Sequence, residues 1–295
     1  MRRHAAAAVT RTTLYSRAQN TDNKTLATNE STGDHMNTKG WNVSTALCVL
    51  AMAAIPTAPA RAQMAEVKEK PPMYSYVATW SIPRARWPEM EKAAAADQKV
   101  LDKAMASGTL IGYGDDTNLI HSPEGPTHAN WWSATSMAGA LNVLDEIYKA
   151  GNGATPVLGS ATKHADAMLV SRFYNAHAGS WKGAYSHGSS YKLKPDAPDD
   201  AVEMLSKSAM VPLLEKLLAD GAIVQYEIDV EAIHSEAPGT FWVWYVSPTA
   251  EGIDKVNAAL RESLRKNPLT GPAFGSMVDY TAHRDYLSRT NATFK

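Results

Sequence analysis

Two aspartates, Asp116 and Asp229, stand 113 residues apart in segments of one pattern, and each is followed five positions later by a histidine, His121 and His234. Carboxylates and imidazoles move protons near neutral pH and ligate metals. Around Asp229 the residues alternate. Val224, Tyr226, Ile228 and Val230 share one face, and Gln225, Glu227, Asp229 and Glu231 share the other. If the apolar face packs on helices, the polar face turns into an enclosed interior. Burial there raises carboxyl pKa values and makes such groups bases or ligands. The same pattern also suits a solvated edge or a structural salt bridge. In the earlier segment Gly114 and Asn118 replace Glu227 and Glu231, so a carboxylate ladder would be single. Strict alternation puts His234 opposite Asp229, and a direct pair would need a bulge. Next to Ser122 and Ser235, the two histidines suit bonds to a turn backbone equally well.

Other residues could form a pocket. Trp131 and Trp244 match between the segments, as do Tyr113 and Tyr226. With His128 and Glu227 they could line a site for an aromatic ligand, although large aromatics also build cores. A Gly- and aromatic-rich stretch over 176–187 reads as a connector. With Arg172 just before it, it holds His177, Trp181 and His187. Unrepeated loops of this kind are where a fused pair could gain one asymmetric site. His164 also looks unrepeated, and at a fixed shift His283 and Arg284 fall on Val170 and Ser171. No H-E-x-x-H, G-x-S-x-G or phosphate-loop motif is present.

These residues belong to an internal repeat. Residues 100–143 lie on 213–256 without a gap, with 13 identities in 44 positions. A strand is expected over 74–82, a helix over 87–106, a second strand over 109–121 (its copy 222–234), and third strands over 128–135 and 241–246. Second helices are expected over 138–150 and 250–266, and fourth strands over 165–175 and 277–287. Gly108 and Gly221 end the first helices as left-handed caps. The order β-α-β-β-α-β is the split βαβ, or ferredoxin-like, unit. The expected α+β fold is two tandem units, 73–175 and 188–295, packed sheet to sheet as an intramolecular α/β barrel with helices outside.

The flanks and composition narrow the rest. Residues 1–35 lack apolar periodicity and read as a disordered or mis-called extension. Residues 36–62 read as a signal peptide: Lys39, an apolar run over 43–55, and Ala60-Arg61-Ala62 as the cleavage site. A linker spans 63–72. The expected location is periplasmic or secreted, with no membrane span in the mature form. The single cysteine, Cys48, lies inside that signal, so disulfides, thiolate metal sites and a Cys nucleophile are excluded from the mature chain. A formal net charge of −1 offers no footprint for nucleic acid.

The tandem unit resembles the dimeric α/β-barrel superfamily, which includes antibiotic-biosynthesis-type monooxygenases and haem-binding chlorite dismutases. In GTLIGYG and YEIDVEAIH it is similar to uncharacterised exported bacterial proteins. The resemblance implies a small-molecule enzyme of monooxygenase-like type acting on an aromatic or apolar substrate. A non-catalytic periplasmic binding protein is the alternative. Haem binding is a weaker one, since the first helices carry no histidine. No cofactor and no metal is expected. A monomer with an internal pseudo-dimer, or a homodimer, fits the fused repeat.

Overall fold

The computed structural model describes residues 69–236 and 238–295. The expected tail, signal peptide and first part of the linker lie outside these. Strands β1 (Met73–Ser81), β2 (Leu110–Asn118), β3 (His128–Ala134) and β4 (Lys163–Ala176) form the first unit with helices α1 (Trp87–Ala106) and α2 (Met137–Lys149). The second unit has β5 (Gly179–Leu193), β6 (Gln225–Ile233), β7 (Thr240–Ser247) and β8 (Val278–Phe294). Its helices are α3 (Ala201–Leu205), α4 (Val211–Ala219), α5 (Ala250–Lys266) and α6 (Thr270–Met277). One wide π turn, Ser206–Met210, joins α3 to α4. Pro212 lies two residues beyond it and has no N–H to continue the regular ladder.

The eight strands close into a barrel in the order β1-β3-β2-β8-β5-β7-β6-β4. Each unit keeps its own four-stranded sheet, and two seams, β2·β8 and β4·β6, join them. Every neighbouring pair is antiparallel. The strands β1, β2, β5 and β6 therefore run one way and the other four run back. The twofold relating the units lies along the barrel axis, with β2 and β6 four places apart in the ring of eight.

Apolar alternation decides which face looks out. Tyr76, Ala78 and Trp132 pack on Leu101 of α1 and on Val143 and Ile147 of α2. Tyr226, Ile228 and Tyr245 pack on Val211, Leu214, Leu217 and Leu218 of α4 and Val256 of α5. Each such buried aliphatic side chain contributes roughly 1.5–3 kcal/mol. The helices are fixed at their starts in the same way in both units. Ser136 Oγ accepts the Gly139 N–H at 3.1 Å, and Thr249 Oγ1 accepts that of Gly252 at 3.2 Å. Gly108 and Gly221 follow α1 and α4 with φ of +79° and +69°.

Two sequence expectations are corrected. The stretch 176–187 is not a connector, because β5 begins at Gly179 and supplies the first strand of the second unit. Only a short corner around His177, whose N–H donates to the Val224 carbonyl at 2.8 Å, crosses between the sheets. The fourth strands also do not follow the 113-residue spacing. Asp116 pairs with Thr290 across one seam and Asp229 with Ser171 across the other, so β8 is offset from β4 by 119 residues. The added length falls between α5 and β8, where α6 lies.

Candidate active site

The inner barrel wall is built of small and polar side chains. Ser75 and Ser133 share a hydrogen bond of 2.8 Å, Ser171 Oγ donates to the Ile228 carbonyl at 2.8 Å, and Ser288 bonds Asn118. Among them stand three carboxyl groups. Asp116 enters from β2, and Glu227 and Asp229 enter from the same face of β6. Asp229 is 0% exposed and Asp116 7%. Neither Asp229 carboxylate oxygen has a hydrogen-bond partner, nor does Oδ1 of Asp116. Burial pushes the Asp116 carboxyl up to about 7, with the neighbouring Asp115 charge adding and Thr290 and Trp131 pulling back. Burial, and then the Asp116 charge, push Glu227 up to about 7. Burial, and then Glu227, hold Asp229 well above the carboxylate range. No cation enters any of these three balances, so burial shifts all three acids toward the protonated form.

The two tryptophans explain why the ladder is single. Trp131 of β3 and Trp244 of β7 both face inward, but they lean opposite ways. Trp131 lies over Gly114 of β2, where an added Cβ would sit 2.6 Å from its ring. Trp244 lies over Gly188 of β5, where a Cβ would sit 2.0 Å from its ring. Val77 occupies the place of Gly188 in the first unit, and Glu227 occupies that of Gly114 in the second. A carboxylate is therefore sterically allowed only beside Trp244. Gly188→Ala is expected to cost about 3 kcal/mol by overpacking, and to lower the thermal midpoint by about 10 °C. Gly159→Ala, with nothing within 4 Å of the added carbon, should leave the midpoint nearly unchanged in the same melting experiment.

A cavity of about 120 Å³ opens at the end of the barrel where β2 and β6 begin. Gly112, Ser133, Gln225, Glu227, Phe294 and Lys70 are among its lining residues. Glu227 is the only one of the three acids that reaches it. Inward of this mouth, Trp131 stacked on Phe294 and Trp244 stacked on Tyr286 help fill the barrel. Among the described residues, no three His, Cys, Asp or Glu side chains are placed to hold a metal ion. A haem is several times larger than the cavity, and none of the described helices carries a histidine, so the residues do not fit that group.

No family model matches the sequence, and no curated protein matches it. Solved structures do. A provisionally named monooxygenase from Lactobacillus acidophilus superposes with a TM-score of 0.54 at 10% identity, over 76% of this chain and 97% of that one. A second, from Fusobacterium nucleatum, gives 0.54 at 7% identity, over 77% and 95%. The fold is the dimeric α/β barrel. Here both halves of that barrel come from one chain.

Within the α/β barrel the other expected residues fall in different places. The Tyr113 and Tyr226 hydroxyls point outward, not into the barrel, and donate to Asp102 and Glu215 at the same position of α1 and α4. They fasten helix to sheet in both units, although Tyr226 also borders the cavity. His121 and His234 are exposed beyond the far ends of β2 and β6, away from the cavity. The turn after β6 is held by Glu231 instead, whose Oε1 accepts from Ser235 N, Ser235 Oγ and Glu236 N at 3.0, 2.7 and 2.9 Å. His128 is buried on the outer side, 2.9 Å from Thr127 Oγ1 and edge-on to Trp87. Burial lowers its pKa to about 4, which leaves it neutral. Arg172 and His177 are exposed, and Arg172 lies 3.6 Å from Glu69. Trp181 packs against Ala184, Val246 and Phe294. His187 stacks on Tyr245 on the outer side.

One repeated feature escaped the fixed shift. His164 and Asp166 in β4 correspond, at the 119-residue offset, to His283 and Asp285 in β8. The imidazole–carboxylate distances are 3.2 Å and 3.3 Å. His164 stacks on Trp80 and His283 packs on Tyr191. The second copy is the more polar. Ser189 Oγ donates to Asp285 at 2.6 Å and His187 Nε2 lies 4.0 Å from it, where the first unit has Ala78 and Tyr76. A search for H-x-D in each half, without a fixed shift, would have found the pair.

Proposed function

We propose that the chain is a small-molecule enzyme of monooxygenase-like type, in which Glu227 takes a proton from a compact substrate in the barrel mouth. One observation carries this: a half-buried carboxyl pushed up to about 7, with no cation offsetting it, lines the opening into the barrel. A general base is most effective with a pKa near the working pH. Gln225 and Ser133 supply polar contacts beside it, and Phe294 and Gly112 supply an apolar wall. Loss of a proton leaves an electron-rich anion, the form in which phenols and carbon acids react with dissolved dioxygen.

The test is hydrogen exchange in D2O with a panel of single-ring phenols and 1,3-dicarbonyl compounds, with oxygen uptake recorded in parallel. Exchange at carbon above the buffer rate, lost in Glu227→Gln, supports the reading. Oxygen uptake by the same substrates supports its oxygenase part. Exchange no faster than buffer across the panel contradicts it.

The alternative is a non-catalytic binding protein. The aromatic filling of the barrel favours it, since the cavity is smaller than the roughly 300–1,000 Å³ of ordinary ligand sites. Export is part of the proposal on the strength of the sequence over 36–62. N-terminal sequencing of the mature protein should begin at Gln63, and a retained 36–62 segment would contradict it. Among the described residues no helix is long and apolar enough to cross a membrane.

A further inference from the structure

We propose that the mouth cavity selects a compact organic anion, no larger than one ring, whose carboxylate is held by Lys70. This rests on the reading of Glu227 above and names the substrate class of the same site.

Lys70 borders the cavity on the rim, and its ammonium is oriented by the protein. Its Nζ donates to Asn175 Oδ1 at 3.0 Å and lies 5.1 Å from the centre of the Tyr174 ring. Asn175 is fixed in turn. Its Nδ2 donates to both carboxylate oxygens of Glu215 at 3.0 and 3.2 Å, and Glu215 also accepts from the Tyr226 hydroxyl. The Lys70 backbone N–H donates to the Arg172 carbonyl at 3.0 Å. A relay from α4 through β6 and β4 thus places one ammonium at the entrance. Among the described residues Lys70 forms no ion pair, so its charge is unspent. Lys295, the other lysine of the rim, turns its Nζ toward the Met105 carbonyl at the end of α1.

The two walls differ. Phe294, Met73 and Gly112 make one side apolar, while Gln225 and Glu227 make the other polar. The asymmetry follows from the repeat, because past the bulge in β4 Ala176, opposite Gln225, holds the place of Phe294, opposite Gly112. The volume of about 120 Å³ is close to the roughly 150 Å³ of a cavity that holds benzene. A ring against Phe294, a carboxylate on Lys70 and an acidic hydroxyl or C–H on Glu227 use each of these features.

The test compares 4-hydroxybenzoate with its uncharged isostere 4-hydroxybenzamide, by calorimetry or protein NMR, at low ionic strength. A charged hydrogen bond gives the carboxylate about 10-fold tighter binding. Lys70→Ala should abolish that preference, while Lys70→Arg should restore it. The proposal is overturned if neither probe binds, if acid and amide bind alike, or if the preference survives Lys70→Ala. Failure of the proton-transfer reading looks different: the acid preference stands, but catalysed exchange is absent or unaffected by Glu227→Gln.

Discussion

Glu227→Gln lowers catalysed proton exchange by about 10²–10⁴-fold, the contribution of one well-placed general base. The amide matches the carboxyl in shape, so substrate binding should change little and the loss should appear in turnover. The pH profile identifies the cause. Exchange by the wild type should rise with pH to a plateau above about 7, as Glu227 loses its proton. Asp116→Asn removes a charge that holds Glu227 up, so the rise should move toward lower pH. A variant that merely loosened the barrel would lower the plateau without moving the midpoint.

Asp229→Asn stabilises the protein at pH 8 by on the order of 2 kcal/mol, and by less at pH 5. Asp229 is fully buried, with both carboxylate oxygens unpartnered. Its folded pKa lies well above its unfolded value of 3.8. Between those values the folded state binds more protons than the unfolded state, so stability falls as pH rises. Asp116 and Glu227 act in the same direction, each from its ordinary value to about 7. The wild type should therefore be most stable on the acid side and lose stability as pH rises from about 4 to 8. Asn at 229 removes one of these contributions and should flatten the profile. Thermal melts from pH 5 to 8 read this directly, and a midpoint that rises with pH in the wild type, or falls at pH 8 in the variant, would contradict it.

Much of the scaffold was legible in the sequence because each element answers to a local rule. Trp87–Ala106 and Ala250–Lys266 carry helix formers with clear ends, and both match the structure to the residue. The alternation from Val224 to Glu231 separated an apolar from a polar face of β6, and so showed that Glu227 and Asp229 share one face; it did not by itself show that the other packs on helices. β5 was missed because Gly-Ser-Trp-Lys-Gly-Ala-Tyr-Ser-His-Gly lacks the branched residues of a typical strand. Its small residues answer to a neighbour in space, since Gly188 must be bare to admit Trp244. The end of β8 was missed for a related reason: Ser288, Thr290 and Ala292 are small because they face the barrel interior. The H-x-D pairs were hidden by α6, which shifts the second fourth strand out of step. The site itself was half visible. The acids could be read, but the opening beside Glu227 depends on how Trp131 and Trp244 lean, which no local pattern encodes.

The central claim is that Glu227 is a mouth-lining acid tuned to neutral pH by burial and by Asp116. Carbon-13 NMR of the glutamate side-chain carboxyls, titrated from pH 4 to 9 and assigned with Glu227→Gln, measures it directly. The wild-type Glu227 signal should titrate near 7, and Asp116→Asn should bring it down. A Glu227 carboxyl that titrates near 4.5 in both proteins would contradict the account.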